Sequence, residues 1–222
     1  MSIYLGFDPG GAREFGWCVA RESSSGALPL TVLRTGVALY AMDAVEAAIC
    51  HVPAGEPVLA AGIDAPLVWS RGEGRRVEQV LRQQVRLAGS ETAEGTVQHV
   101  NSLRGACVAQ GMLTAVFLRE AFAGLPLSEA HPKAWLWLSK ATHRRPTPAE
   151  ITLADLSEWC SLPDRHPPSE HERDAAVACL SAWAMIRRPQ DWHDLYLYAK
   201  EAESYSPLNP LPSYWMPKPP TP

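Results

Sequence analysis

The sequence predicts an α/β fold in which a mixed β-sheet is flanked by helices. Three strand-like runs follow one another near the start with turns between them, which indicates an antiparallel meander. Two further strand-like runs come later and alternate with stretches of helical spacing. Strands that alternate with helices are typical of α/β proteins, so the two observations together give the fold class.

The first three strands are predicted at residues 2–8, 15–20 and 30–37. The first of them ends at Asp8, which is followed by Pro9 and Gly10, a sequence typical of a turn. The Asp8 carboxylate is therefore expected at the end of a buried strand. Taken alone, Asp8 could equally be an acid that caps its own backbone in that turn.

A helix at residues 41–52 leads into a fourth strand at residues 58–64, and that strand ends at Asp64. An acid that closes an apolar strand is costly to bury without a partner. We therefore interpret Asp64 as a functional residue.

The remaining predicted elements are an arginine-rich stretch, a long helix, a fifth strand and two more helices, at residues 71–87, 103–122, 125–132, 148–160 and 169–187. The fifth strand carries Glu129, and Ser169 is the expected N-cap of the last helix. Spacings of three and four residues place Asp174 on the face of that helix that packs on the sheet, with His171 beside it. An acid so near a helix start also has a structural explanation, because the helix dipole favours it.

The chain is divided into an α/β domain at residues 1–188 and a C-terminal extension at residues 189–222. Seven of the last sixteen residues are proline. Proline neither donates a backbone hydrogen bond nor continues a helix, so this tail is expected to form neither a helix nor a central strand.

Composition narrows the class of protein. The 222 residues suit one large domain, and an apolar fraction of 46% with 20% charged residues is that of an ordinary globular protein. No run of about 20 apolar residues predicts a membrane span, and no signal peptide is recognised, so a cytoplasmic location is expected.

The five cysteines have no paired spacing, which argues against a zinc site and a disulfide framework. A net charge of −4 argues against nonspecific coating of nucleic acid.

The acidic residues are expected to meet at one point. If the first, fourth and fifth strands run parallel, their carboxyl ends share one edge of the sheet, and Asp8 and Asp64 converge there. Carboxylates that share a site repel one another and need protons or cations to coexist. Mg²⁺ and Mn²⁺ prefer oxygen ligands, so either is the expected cofactor.

Two segments of the chain resemble RuvC-type Holliday-junction resolvases. LGFDPG at residues 5–10, followed by FGW at residues 15–17, resembles their first hairpin, and HERDA at residues 171–175 resembles their HxxDA helix. Both motifs belong to the RNase H-like superfamily. Asp64 stands where those resolvases have a glutamate, a departure from the pattern.

A closer resemblance is to domain-of-unknown-function family 429, a family of predicted RNase H-like nucleases. It is carried by GIDAPL at residues 62–67, by SEAHP at residues 128–132 and by Asp174, together with Arg76 and Arg82. These motifs are short, and the resemblance depends on their combination in the expected order over about residues 3–188.

The resemblance implies an RNase H-like, five-stranded mixed sheet with metal-binding carboxylates at Asp8, Asp64 and Asp174. Glu129 is an adjacent catalytic candidate. The implied activity is a two-metal hydrolysis of nucleic-acid phosphodiester bonds, with Asp8 as the bridging ligand. His171 would hold a ligand, orient water or move protons, because imidazole titrates near neutral pH. Glu129 and His171 each have a structural alternative as well.

Two basic stretches predict contacts with phosphates, one from Arg71 to Arg86 that includes Arg75 and one that begins at Lys133. The candidates are Arg76 and Arg82 in the first stretch and Lys140, Arg144 and Arg145 in the second. A charged, solvated surface is the alternative for both stretches. The predicted partner is DNA or RNA rather than a membrane, and whether the chain forms a homo-oligomer is left open.

Two other functions compete with the nuclease. The first is a non-catalytic RNase H-like module that binds nucleic acid or protein at the same edge. The second is an ATP phosphotransferase of the actin-like superfamily, which also begins with a strand that ends in aspartate and glycine. That superfamily usually needs two such domains and a second glycine-containing phosphate loop, whereas Ala65 and Pro66 follow Asp64 here.

Overall fold

The computed structural model describes residues 1–10, 14–24, 28–70, 75–97, 105–140, 156, 159–161, 169–200 and 204–218. These residues contain one eight-stranded mixed sheet and a separate two-stranded ribbon. The strands of the large sheet lie in the order β7-β3-β2-β1-β4-β6-β10-β8, and β5 pairs with β9 in the ribbon.

The strands are β1 Ile3–Asp8, β2 Phe15–Glu22, β3 Leu30–Ala38, β4 Val58–Ile63, β5 Trp69–Ser70, β6 Leu127–Glu129, β7 Cys160–Ser161, β8 Trp192–Asp194, β9 Ser204–Tyr205 and β10 Ser213–Pro217. The helices are α1 Ala41–Cys50, α2 Arg76–Leu87, α3 Ala93–Thr96, α4 Gly105–Ala121, α5 Pro132–Lys140, α6 Glu170–Arg187 and α7 Leu195–Tyr198.

The predicted fold class is confirmed. Strands β1, β2 and β3 form the antiparallel meander, while β4 pairs parallel to β1 and β6 pairs parallel to β4. These are the five predicted strands. Strands β7, β10 and β8 extend the same sheet at its two sides.

Helices cover both faces of the sheet, because its strands alternate apolar side chains between the two. One face packs on α1 and α4 through residues such as Leu5, Phe7 and Ile63. The other face packs on α5 and α6 through residues such as Tyr4 and Ala60, and α2 packs in turn on α5. The molecule is thus a three-layer α/β structure.

Helix α6 lies unusually close to the sheet because glycines face it from three strands. A Cβ atom on Gly6, Gly16 or Gly62 would lie 1.9 to 2.1 Å from a carbonyl oxygen of α6, far inside van der Waals contact. The N-terminal part of the helix is fixed as well, since the Ser169 side chain accepts a hydrogen bond from the backbone N–H of Glu172 in a capping box. The predicted N-cap is confirmed, and the start of α6 is held against the carboxyl ends of β1 and β4.

The C-terminal extension differs from its predicted form. The expectation that the last sixteen residues contain no central strand is wrong, because β10 lies inside the sheet between β6 and β8. Its alternating Tyr214 and Met216 are buried in the core. The prolines do not interfere, since Pro212 precedes the strand and Pro217 is its last residue.

Two other elements also differ from the prediction. Helix α5 was not predicted, and its Trp135 is fully buried in the core. The predicted helix at residues 148–160 falls mostly outside the described residues, and its last residue, Cys160, belongs to strand β7. Within the described part of the chain, no helix is long and apolar enough to cross a membrane.

Candidate metal and active site

A cavity of about 240 Å³ lies where β1, β4 and β6 end and α6 begins. Its lining includes the three predicted metal ligands, Asp8, Asp64 and Asp174, together with His131 and His171. Asp8 ends β1, Asp64 directly follows β4, and Asp174 lies in the second turn of α6. Three separate elements therefore bring one carboxylate each to the same cavity, at the edge where ligands bind in open α/β sheets.

Asp8 is paired with His171. The imidazole Nδ1 lies 2.6 Å from Asp8 Oδ2, and the Asp8 side chain is only 12% exposed. Burial raises the pKa of Asp8 to about 6, the hydrogen bond from His171 opposes this rise, and the charge of Asp64 adds to it. The same hydrogen bond raises the pKa of His171. The two side chains therefore titrate as a coupled pair.

Asp174 is paired with its neighbour along the chain. Its Oδ1 accepts a hydrogen bond of 2.7 Å from Arg173 Nε. Burial nevertheless raises the pKa of Asp174 to about 7, because the charges of Asp64 and Asp8 add to the desolvation and Arg173 offsets only part of it. Asp174 thus carries its negative charge at a high electrostatic cost.

Asp64 faces a second histidine. His131 Nδ1 lies 3.7 Å from Asp64 Oδ1, and His131 Nε2 lies 2.7 Å from the carbonyl oxygen of Thr96. Both the Asp64 and the His131 side chains are about a fifth exposed to the cavity. Asp64 is therefore the most accessible of the three carboxylates, and its neighbour is an imidazole.

The side chains that line the cavity are of the chemical type that an oxygen-preferring divalent ion binds. Three carboxylates line one cavity, and two of them have pKa values that a nearby cation would lower. In the described part of the chain, however, no three His, Cys, Asp or Glu side chains are arranged to hold one ion. In this arrangement Asp8 is turned to His171 and Asp174 to Arg173. A cation would compete with these two partners for the carboxylate oxygens.

Glu129 lines the same cavity but has other partners. Its carboxylate accepts hydrogen bonds from the backbone N–H groups of Leu67 and Val68, from Arg75 at 2.9 Å and from the Tyr196 hydroxyl at 2.5 Å. The side chain is 2% exposed. All four donors contact Oε1, and Arg75 Nη1 also lies 2.9 Å from Oε2. Glu129 therefore holds the segment after Asp64 in place.

The residues that were predicted to contact phosphates lie in different environments. Arg76 is exposed at the start of α2. Arg82 is 8% exposed, and its Nε donates a 2.7 Å hydrogen bond to the carbonyl oxygen of Val97, so it is not available at the surface. The side chain of Lys140 and the whole of Arg144 and Arg145 lie outside the described residues.

Two further residues of the predicted basic stretches, Lys133 and Arg75, also line the cavity. Lys133 lines the cavity with a side chain that is 58% exposed, and its Nζ lies 3.6 Å from Glu170. Arg75 is buried between Glu129 and Glu78. The position of Lys133 could have been found from the sequence, because Pro132 is typical of the first position of a helix and an N-terminal turn beside the fifth strand faces the same edge. Of the partners of Arg75, Glu78 lies three residues further along the chain, whereas Glu129 is distant along the chain and leaves no local signal.

Comparison with known proteins adds one similarity. The sequence matches no family model and shows no match among curated proteins. Among solved structures, the chain is similar to the RuvC structure from Thermus thermophilus, at 15% identity and a TM-score of 0.40, with 91% of this chain and 99% of that chain covered. The fold class rests on the sheet order and pairing described above, and the resemblance to family 429 remains a prediction.

Proposed function

We propose that this protein is a metal-dependent nuclease that hydrolyses phosphodiester bonds of nucleic acid at the cavity lined by Asp8, Asp64 and Asp174. One observation carries the proposal: three elements distant along the chain each bring a carboxylate to one cavity. Burial raises the pKa of Asp8 and of Asp174, so the cluster is costly in the absence of cations. Clusters of carboxylates whose pKa values are raised in this way are typical of functional sites rather than of residues that only pack the core.

The carboxylates of Asp8, Asp64 and Asp174 would hold Mg²⁺ or Mn²⁺. When bound, such ions generate a nucleophile from water and neutralise the charge on the leaving oxygen. The His171 imidazole is placed to accept or return a proton at Nδ1, the atom that now faces Asp8 Oδ2. Glu129 keeps Leu67 and Val68 in place and thereby supports the segment that follows Asp64.

The basic residues support a phosphate-bearing substrate. Lys133 lies at the cavity itself, and Arg76 is exposed at the N-terminus of α2. A cavity lined by three carboxylates repels a phosphodiester unless cations are bound there, so substrate binding is expected to depend on the metal.

A cleavage assay tests the proposal. Purified protein is incubated with single-stranded, duplex and branched DNA and with RNA, each in the presence of Mg²⁺, Mn²⁺ or a chelator. We expect cleavage of at least one substrate with Mg²⁺ or Mn²⁺ and none with chelator, because the carboxylates alone provide no nucleophile. Cleavage that persists in chelator would contradict the metal mechanism.

A non-catalytic binding module is the second candidate, and one observation favours it. Each carboxylate already faces a basic partner, namely His171, His131 and Arg173. A site that never binds metal would compensate its charges in this way. Nucleic-acid binding without cleavage of any substrate, under conditions in which no Mn²⁺ binds, would favour the module.

A further inference from the structure

Backbone hydrogen bonds of the sheet hold His131 beside Asp64, in addition to the contacts that the His131 side chain makes. Asp64 N–H donates to the carbonyl oxygen of Phe7 at 2.9 Å, and Ala130 N–H donates to that of Ile63 at 2.8 Å. These bonds continue the pairing of β1, β4 and β6 past the ends of the strands. The backbones that carry Asp64 and His131 are therefore fixed side by side on the sheet.

The tautomer of His131 follows from its partner. A carbonyl oxygen only accepts hydrogen bonds, so the 2.7 Å contact with Thr96 requires a hydrogen on His131 Nε2. In the neutral imidazole the lone pair is then on Nδ1, the atom 3.7 Å from Asp64 Oδ1. A histidine that ligates a metal almost always donates its other ring N–H to a carbonyl or carboxylate, and His131 has this arrangement.

The spacing of the two donors suits one shared ion. Two ligands at about 2.1 Å from an ion lie about 3.0 Å apart at a right angle and about 3.4 Å apart in a tetrahedron. The observed 3.7 Å between His131 Nδ1 and Asp64 Oδ1 differs from these values by less than 1 Å. Both atoms belong to side chains that line the cavity.

His171 does not offer the same arrangement. Its Nδ1 is occupied by Asp8 Oδ2 at 2.6 Å, and its Nε2 faces Glu14 Oε2 at 3.9 Å. A metal could use Nδ1 of His171 only at the expense of its bond to Asp8. The two histidines of the cavity are thus chemically distinct.

From these contacts we propose that His131 Nδ1 is a metal ligand that shares an ion with Asp64 and makes that position selective for a first-row transition ion such as Mn²⁺ over Mg²⁺. The inference rests on the proposed metal-dependent function and deepens it. Imidazole nitrogen binds transition ions well, whereas Mg²⁺ prefers oxygen ligands. A mixed nitrogen and oxygen pair therefore favours Mn²⁺ relative to a site of carboxylates alone.

Pulsed electron paramagnetic resonance of the Mn²⁺-loaded protein tests the proposal without reference to activity. We expect the spin-echo modulation of a directly bound ¹⁴N nucleus in the wild type and in His171→Ala, and its loss in His131→Ala. His131→Gln is the second variant, because its amide can still donate to the Thr96 carbonyl and preserve the local fold. By calorimetry, both His131 variants should bind Mn²⁺ about tenfold or more weakly, with a smaller change for Mg²⁺.

The outcomes separate the two levels of the proposal. Mn²⁺ that binds the wild type without nitrogen coupling, or coupling that persists in His131→Ala, overturns the assignment of His131 and leaves the carboxylate site intact. A wild type that binds no Mn²⁺ overturns the proposed function together with this inference.

Discussion

Replacing Asp174 with asparagine is expected to lower the rate of metal-dependent cleavage by about three powers of ten or more. The substitution keeps the shape of the side chain and an oxygen that can accept from Arg173, but it removes a negative ligand from the cavity. Three powers of ten correspond to about 4 kcal/mol of transition-state stabilisation, a reasonable loss for one ligand of a catalytic ion. Initial rates at saturating Mn²⁺ measure the effect.

The same substitution is expected to stabilise the metal-free protein, and the gain should grow with pH. The pKa of Asp174 in the folded state is about 7, against 3.8 in the unfolded chain. The folded protein therefore binds this proton more tightly than the unfolded chain does. The resulting contribution to the free energy of unfolding is fully present below pH 3.8 and is lost as the pH rises through 7. Three pKa units correspond to at most about 4 kcal/mol, so the asparagine variant should exceed the wild type by up to that amount above pH 7.

Urea denaturation in chelator at several pH values between 5 and 8 measures this difference. Asp43→Asn is the matched control, since Asp43 lies on α1, which packs on the opposite face of the sheet from α6. Over this pH range Asp174→Asn should gain more stability relative to the wild type than the control variant does. A stability gain for Asp174→Asn that is independent of pH would contradict the high cost assigned to its charge.

Replacing Gly62 with alanine is expected to destabilise the fold by about 3 kcal/mol and to disrupt the site at the same time. The added Cβ would lie 2.0 Å from the carbonyl oxygen of Ala178, so α6 would have to move away from β4. That movement would carry Asp174 and His171 away from Asp8 and Asp64. Urea denaturation gives the loss of stability, and calorimetry with Mn²⁺ gives the loss of the site.

Gly105→Ala is the control for this substitution. Gly105 is the first residue of α4, and a Cβ added there meets nothing within 4 Å. Its free energy of unfolding is expected to change by less than about 0.5 kcal/mol. Equal losses in the two variants would show that the close approach of α6 is not what makes Gly62 necessary.

Local patterns in the sequence predicted the parts of the site that lie at the ends of regular elements. Asp8 and Asp64 each follow an apolar run, and Asp174 lies on the apolar stripe of α6. Strand direction and helix periodicity bring such residues together without any knowledge of distant contacts. The sequence also contains the signal for the close approach of α6, because Gly6 and Gly62 interrupt apolar strands opposite an alanine-rich helix.

The partners of buried polar groups could not be predicted in the same way. Glu129 and Arg82 carry the side chains expected of a functional acid and a phosphate contact, but tertiary partners far along the chain bind them. Strand β10 was missed for a different reason. The prolines around it argued against a strand, and the alternation of Tyr214 and Met216 argued for one. Over so short a segment the alternation is the stronger signal.

Anomalous scattering from crystals grown with Mn²⁺ tests most directly whether the three carboxylates form a metal site. We expect at least one Mn²⁺ in the cavity in direct contact with Asp8 and with Asp64 or Asp174, and Asp8 turned away from His171. A cavity without Mn²⁺ at saturating concentration, in which Asp8 still bonds His171 and Asp174 still bonds Arg173, would contradict the proposal.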